Sequence, residues 1–598
     1  MAGAKAGGQS NVLPQVRSVQ VKQAWDQEDP NGKSNDCIRA DQDGNRPVRS
    51  CVQRSLKTGC PLCLVSFAML VSPLVGSFSL FSLSWKGEPD YGVHIPLSMV
   101  VIMLQITFSA AACCGGKWRC AAARWLRRWQ CCVLVPYMSG IAGTVVLGTM
   151  LYHTDYSTPV LLEEYNAGDR VAVVGAGASG ISAAWMLAQG GRKVELFEAA
   201  EEIGGHSKSW ISQDTGTIYD LGYIFNSKSG YGQYKDFTDH YRVPRRDSAL
   251  NTSSTWQGKF WQSAGKNLPN PDLDAEIDRF LQHVEKPPSS ITYLLPLGFW
   301  LWWHGFSEEF VKLCLDSTMS VLFVTKMGLM KNSAQAVLNH FKSHGFTHLR
   351  YSHDQVQVSL GGSQNMWRTV VQDLLASGLE AKLHVRSKAT RVYREHDKWA
   401  IDLESGVKHF DFGSVVLALP ADVSGQIVEG RPLQSATVRQ IDYEPSAVTL
   451  HEDMEATVKP WFDTAHSEAL YFIDEKQMSG LIGRIFGDLN SNLILTVHSE
   501  KGHKPLAIDE RKIKWRTMWR HHYFSIWELF VAHKLLPLFN GNGNLHYAGD
   551  WVRGVGHNDA IRGGIWAACS VGLPRKPRTI AADPLYSKLL DVCKFKEE

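Results

Sequence analysis

RVAVVGAGASGISAAWMLAQGGRKVELFEAAEEIGGHSKSW, residues 170–210, is the stretch whose pattern decides the fold. Val171 to Val174 form an apolar run suited to a strand buried on both faces, and Gly175, Gly177 and Gly180 follow it as GxGxxG. The first glycine permits the tight turn, the second lets backbone approach a pyrophosphate, and the third lets the next helix pack closely against the strand. The spacing predicts that helix over about Ala178 to Gln189. Ala178 and Ser179 open it, so its N-terminal amides and dipole face the phosphates. Gly190 and Gly191 stop it. A second strand, Lys193 to Phe197, ends in Glu198, whose carboxylate is placed to accept hydrogen bonds from both hydroxyls of an adenosine ribose. Strand, glycines, helix, strand and acid in this order specify a dinucleotide site far better than the glycines alone.

Gly204, Gly205, His206 and Ser207 come next. This continuation resembles the ExxxxxGGR(x)xS/T extension of the flavin amine oxidase and phytoene desaturase superfamily, in which a second glycine pair packs around the diphosphate of FAD. His206 stands where that family often has Arg. An Arg fork clamps phosphate bidentately, so His weakens the contact or changes its role. A branch of FAD-dependent amine-oxidase-like proteins with the pattern GGH, then DTGFIVFN, is similar in both respects, the second through Thr217 to Asn226, TIYDLGYIFN. The resemblance implies that this strand approaches the isoalloxazine; the residues alone equally allow a core strand with a glycine turn.

Further along, Ser359 to Leu375 resembles the GGS-plus-helix step at which the superfamily re-enters its nucleotide domain. Leu383 to Tyr393 and Trp399 to Leu403 alternate like hairpin strands, and the resemblance implies that Val385 offers backbone to adenine. Phe412 to Pro420 reads as a buried strand, and Ala447 to Asp453 and Ile494 to Ser499 as strands of a second, substrate-facing sheet. Leu545 to Ala568 resembles the family's second FAD motif. By that resemblance Gly549 and Asp550 follow a strand, Asp550 accepts from a ribityl hydroxyl, and Gly563 and Gly564 admit the ring. A helix from about Ala560 points its dipole at the flavin, raising its potential. The resemblance covers about residues 165 to 575.

At 598 residues, 44% hydrophobic and 20% charged, the chain has room for several domains. A net charge of +3 gives no basis for a nucleic-acid partner. Residues 1–58 are polar and aperiodic and read as a disordered tail. Three charge-free segments follow, Pro61–Leu83, Ile95–Gly116 and Cys131–Tyr152. Each exceeds the ~20 residues that a helix needs to span a bilayer, although the glycines of the third also suit a re-entrant segment. Arg46, Arg49, Arg54 and Lys57 precede the first span, and Lys117, Arg119, Arg124, Arg127 and Arg128 separate the second from the third. Asp155, Glu163 and Glu164 follow the third. The positive-inside rule therefore predicts a multi-pass membrane protein whose flavin domain lies on the non-cytosolic side. On that side, Asn251 to Ser253 forms a glycosylation sequon. Nine of the twelve cysteines lie at or before Cys132, and Cys60 and Cys63 form a CxxC without a second pair, so no metal site is expected.

The expected fold is α/β: a Rossmann-like FAD-binding domain of the glutathione-reductase/amine-oxidase type with an α+β substrate domain, preceded by transmembrane α-helices. The FAD domain is assigned to 165–260, 355–445 and 535–580, the substrate domain to 261–354 and 446–534, and the membrane region to 59–155. Ile291 to Trp303 is too short to span, and a buried wall of the substrate domain is favoured over a helix at the membrane interface. In well-known amine oxidases an aromatic pair steers the amine; one position of that pair aligns with Ala560, so half of the cage is missing. His557, Asn558 and Asp559 occupy the loop before the helix. Either His557 is a general base, or bonds flavin or substrate, with Asp559 orienting it, or the three cap the helix. The function expected is a membrane-anchored FAD-dependent oxidoreductase that oxidises, desaturates or isomerises a lipophilic small molecule at flavin N5, in contact with membrane lipid. An amine oxidase and a non-catalytic flavin-binding membrane protein are the alternatives.

Overall fold

The computed structural model describes residues 169–575 and 577, except 229, 249–250, 264–270, 288–289, 294, 317–318, 320–328, 345–355, 459–469, 474–476, 500–506 and 524. The polar tail, the three predicted spans with their basic flanks, Cys60 and Cys63 lie outside these residues. Among the described residues no helix is long and apolar enough to cross a membrane.

The Arg170–Val174 strand sits inside a sheet ordered Ala381–His384, Lys193–Phe197, Arg170–Val174, Lys408–Leu417, Lys398–Leu403 and Ala389–Glu395, with Leu545–Tyr547 added parallel to Lys408–Leu417. Its register follows from its side chains. Val173 pairs with Leu196 on one side and Val416 on the other, both in parallel. Val171 and Val173 face one core with Ile181, Trp185 and Met366, while Ala172 and Val174 face the other with Trp399, Ile401 and Phe412. Two-sided burial explains the continuous apolar run, since each Val or Leu removed from water stabilises by roughly 1.5–3 kcal/mol. The expected pairing of Leu383–Tyr393 with Trp399–Leu403 divides in two. Ala381–His384 runs parallel to Lys193–Phe197, whereas Ala389–Glu395 forms the hairpin with Lys398–Leu403.

The helix Ala178–Gln189 covers the first core beside Ser363–Ala376 and the C-terminal helix His557–Val571. Its contact with the latter is glycine-mediated, since a Cβ on Gly564 would lie 2.0 Å from the Ser179 carbonyl; one on the neighbouring Gly563 would lie 2.3 Å from the carbonyl of Gly549, just after the Leu545–Tyr547 strand.

A second sheet is ordered Ile513–His522, Tyr443–His451, Ile494–Ser499, Gln477–Leu481, Leu470–Ile473, Thr252–Trp256 and Lys259–Gln262. Helices Pro271–Glu285, Leu297–Trp303 and Ala334–His344 share its core. Two sequence expectations change here. Residues 252–260, assigned to the FAD domain, join this second sheet because Thr252–Trp256 pairs in parallel with Leu470–Ile473. That pairing buries the sequon: Asn251 is 5% exposed and Thr252 and Ser253 less, so the folded chain does not present it for glycosylation. The Ile291–Trp303 run is broken at Pro296, and its last helix is two-sided. Trp300 packs in the core, as a substrate-domain wall requires, but Trp302 and Trp303 are 69% and 68% exposed and cluster with Phe299.

The close helix contact gives a direct test. Gly564→Ala forces a methyl group into backbone that cannot yield and should cost about 2 kcal/mol or more in denaturant unfolding of the detergent-solubilised chain, as overpacking does. Gly216→Ala is the control for a glycine with no neighbour within 4 Å, though its φ of +72° still carries a strain cost.

Candidate cofactor and substrate site

Segments far apart in the chain meet at the carboxyl ends of the parallel strands. Gly175 has φ +101°, and a Cβ there would lie 2.4 Å from the Ala418 carbonyl; one on Gly180 would lie 1.8 Å from the Gly175 carbonyl. Those two glycines make the turn and seat the helix. Gly177 differs, with an ordinary φ of −78°, and a Cβ there would meet nothing nearer than the Gly205 Cα at 3.9 Å. Gly177 and Gly205 therefore lie close together, a Cβ on Gly205 coming 3.2 Å from the Gly177 Cα, and both border an open slot. The helix beyond has no side-chain cap and no acid in its first turn, and the buried Ser179 Oγ has no hydrogen-bond partner among the described residues. Amides without a cap and an orphaned hydroxyl at a helix N-terminus suit an anionic phosphate ligand.

The slot opens into a cavity of about 390 Å³. Of the expected cofactor residues, Gly175, Gly177, Ala178, Ser179, Glu198, Gly204, Gly205, His206, Ser207, Gly549 and Asp550 line it, together with His557 and Ala560. Glu198 is fixed by the backbone N–H groups of Ala176 (2.8 Å) and Ala200 (2.9 Å), one on each oxygen, leaving each oxygen a further lone pair. Asp550 Oδ1 accepts from the Trp551 N–H at 2.9 Å and lies 3.8 Å from His522 Nδ1.

Two expectations are corrected. Gly563 and Gly564 are absent from the lining, and a Cβ on either would strike backbone. Val385, which follows the Ala381–His384 strand next to the residue that bonds Glu198, is exposed, and its carbonyl accepts from Ser387 Oγ at 2.9 Å. The second correction concerns His557, which is buried and has both ring nitrogens engaged. Trp367 Nε1–H donates to its Nε2 at 3.1 Å, so the neutral ring carries its proton on Nδ1, 3.3 Å from Ser207 Oγ. Tyr223 stacks on the ring at 4.0 Å, and burial, helped by His206, pushes its pKa down to about 3. With its lone pair occupied, His557 is a positioning group and not a general base. It also begins the C-terminal helix, three residues earlier than expected, with Gly556 as an N-cap that has no side-chain bond. Asn558 turns away from that helix to accept from the Tyr234 N–H and donate to Gln233. Asp559, whose pKa burial raises to about 7, accepts from backbone at Val555 and sits 3.5 Å from Arg562.

His206 does face the cavity. Its ring stacks on His521 (5.1 Å) and tilts against Trp519 (5.3 Å), both from the second sheet; although the side chain is open to the cavity, the protein packed around it displaces enough water, against the pull of Asp550, to hold its pKa below the ordinary range. Sequence reasoning missed Tyr223, Trp367, Trp519 and His521. Tyr223 had a signal in its place beside Gly222, whose Cβ would strike the His206 carbonyl at 2.0 Å. Trp367 sits in the GGS-plus-helix segment, whose motif says nothing of that side chain, and Trp519 and His521 come from a strand with no motif of its own.

The cavity beyond His206 is apolar, with Ile224, Phe225, Val448, Met478, Ile485 and Leu495 on its wall. A dinucleotide slot feeding an apolar chamber under a second sheet defines a flavoprotein oxidoreductase architecture. Residues 178–452 match the flavin containing amine oxidoreductase family, so this part of the chain carries a flavin-dependent domain of that type. L-Amino-acid oxidases are similar over short stretches: that of Bothrops jararacussu is 45% identical over 53 residues, 9% of this chain and 11% of its own length. That of Cerastes cerastes is 41% identical over 61 residues, 10% and 12% of the two. The chain thus spans about a tenth of these relatives in the match. Among solved structures, the CLA-producing fatty acid isomerase from P. acnes shares the fold at TM-score 0.52 and 15% identity, covering 67% of this chain and 98% of that one. Wild-type putrescine oxidase bound to putrescine does so at 0.50 and 14%, covering 68% and 99%.

The slot and the histidine network predict separable defects. Gly177→Val should leave the fold intact and abolish retention of FAD, measured by flavin absorbance of the purified chain, because its branched side chain would fill the slot beside Gly205. For His557 the folded imidazole titrates well below the ~6.5 of the unfolded one, so its contribution is full above about pH 6.5 and is lost as pH falls toward 3. Denaturant unfolding at pH 7.5 and pH 5 should therefore differ by an amount that shrinks, on the order of 1–2 kcal/mol, in His557→Gln.

Proposed function

We propose that the protein is a membrane-anchored oxidoreductase that oxidises, desaturates or isomerises a lipophilic substrate. The apolar wall of the chamber carries this reading: a substrate bound there exchanges water for hydrocarbon, gaining about 25 cal/mol per Å² of apolar surface. Two features speak against an amine or amino-acid substrate. Ala560 supplies no aromatic face for an amine, and Arg520, the cation on the lining that would meet a carboxylate, is already bound to Asp422. The amine oxidase alternative rests on the short similarity to L-amino-acid oxidases.

Bound FAD supplies the two-electron chemistry. The residues that would hold it are the Gly175–Ser179 turn at the diphosphate, Glu198 at the adenosine ribose, Gly204–Ser207 against the second face of the diphosphate, and Asp550 at the ribityl chain. Ser207 is held in place by His557 and Trp367. His206 is the imidazole open to the chamber; with its pKa held below the ordinary range, it is able to take a proton from substrate at neutral pH. The aliphatic wall excludes water from that step. Membrane anchoring rests on the three charge-free N-terminal segments, and the orientation with the flavin domain on the non-cytosolic side rests on the Lys and Arg asymmetry around them. The exposed Phe299, Trp302 and Trp303 suit a lipid–water boundary.

Anaerobic mixing of the flavin-loaded chain in detergent with unsaturated fatty acids, polyenes, primary amines and L-amino acids tests the reading. The lipids should bleach the oxidised-flavin band, or emerge with shifted double bonds, at rates at least tenfold above any amine. Bleaching by amines alone would establish the alternative, and inertness toward the whole panel would remove the lipophilic proposal. His206→Gln should retain flavin and lose at least tenfold in turnover, with the limb of the pH profile that reports its deprotonation abolished.

A further inference from the structure

Away from the cavity, Glu195, His384 and His409 converge on the opposite face of the first sheet. Their ligand atoms all lie within 4.8 Å of one another. Glu195 alternates with Val194 and Leu196, so it shares the face of Phe197, whose core also holds Trp399, Ile401 and Phe412. His384 comes from the edge strand paired with it, and His409 from the antiparallel hairpin. Three strands separated in sequence thus bring two imidazoles and a buried carboxylate together.

The geometry points to a divalent transition-metal site, zinc by ligand type, formed by Glu195 Oε2, His384 Nε2 and His409 Nδ1, with water completing the coordination. His384 Nε2 is 3.0 Å and His409 Nδ1 3.8 Å from the same carboxylate oxygen. Tetrahedral zinc with ligands about 2.0–2.1 Å away needs neighbouring ligand atoms roughly 3.4 Å apart, which small ring rotations achieve here. The surroundings orient all three groups. Phe197 stacks on His384 at 4.7 Å and meets His409 edge-on at 4.9 Å. Arg170 holds the other carboxylate oxygen at 2.8 Å, turning Oε2 toward the rings. Such partners beyond the ligands fix ligand geometry in metal sites. Arg170, and Lys382 at 3.8 Å from Oε1, add positive charge and limit the affinity; Lys382 is solvent-exposed and can swing outward. His2Glu with one water is a coordination set that zinc adopts.

The site would bear on the cofactor slot through backbone. The His384 carbonyl accepts the Glu198 N–H at 2.8 Å, and the Glu198 carbonyl accepts the Ser387 N–H at 2.7 Å. Metal binding would tie together the strand ends that carry Glu198.

The test uses the full-length chain in detergent, stripped with chelator and titrated with zinc alone. His409→Ala and the milder His409→Gln are titrated beside it, and flavin content of each reports folding. Because the cysteines can take up zinc on their own, the reading is the difference between proteins. One equivalent per chain should disappear, or weaken at least tenfold, in both variants, and copper(II) substituted into the wild type should give an electron paramagnetic resonance spectrum split by two imidazole nitrogens, a pattern that neither variant reproduces. Equal zinc uptake by wild type and both flavin-retaining variants would overturn the assignment, as would a copper spectrum without nitrogen splitting.

Discussion

The approach of two helices without an intervening Cβ is the constraint on which the site depends. Gly564 lies against the Ser179 carbonyl and Gly563 against the Gly549 carbonyl, so the C-terminal helix lies directly on the helix that follows the dinucleotide turn. Arg192 reinforces the junction by donating to the Gly572 carbonyl, 380 residues away. One wall of the slot is built near residue 177 and another near residue 550, and neither is complete alone. A side chain larger than hydrogen at either glycine would separate the walls before it altered anything a ligand touches.

How much of this was legible in the sequence differs by kind of interaction. The Arg170–Glu198 unit was legible because each residue answers a local demand: apolar on both faces, glycine where φ is positive at Gly175, glycine where a carbonyl lies underneath at Gly180. Glu198 was legible as the acid that ends the second strand. The same logic misassigned Gly563 and Gly564, since a glycine marks close approach without saying of what, and here it is backbone and not a ring. His557 was visible as an unusual residue, yet its role depends on Trp367 and Ser207, which lie 190 and 350 residues away. Thr252–Trp256 was placed in the wrong domain for a similar reason, because its partner strand begins at Leu470. Short-range rules of turn, strand and helix are written in the local sequence; lone pairs and strand partners are settled by tertiary contacts.

The two halves of the cavity follow opposite physics. Around the glycines, uncapped amides and a hydroxyl without a partner among the described residues present unsatisfied donors, which a phosphate completes. Beyond His206 the lining offers aliphatic and aromatic carbon, which only an apolar group completes. His206 stands where these regimes meet, stacked on His521 and Trp519 from the second sheet. An Arg there would carry a fixed charge into the chamber, whereas a neutral imidazole does not, and the departure from the family's usual residue fits the change in polarity.

The claim that one cavity holds FAD in its polar half and leaves its apolar half for substrate is tested most directly by hydrogen–deuterium exchange of the full chain with and without FAD. The account predicts slowed exchange at Gly175–Ser179, Gly204–Ser207 and Gly549–Asp550, with Val448 and Leu495 unchanged until a lipid is added. Protection that falls elsewhere, or no difference between the two states at the Gly177 turn, would contradict it.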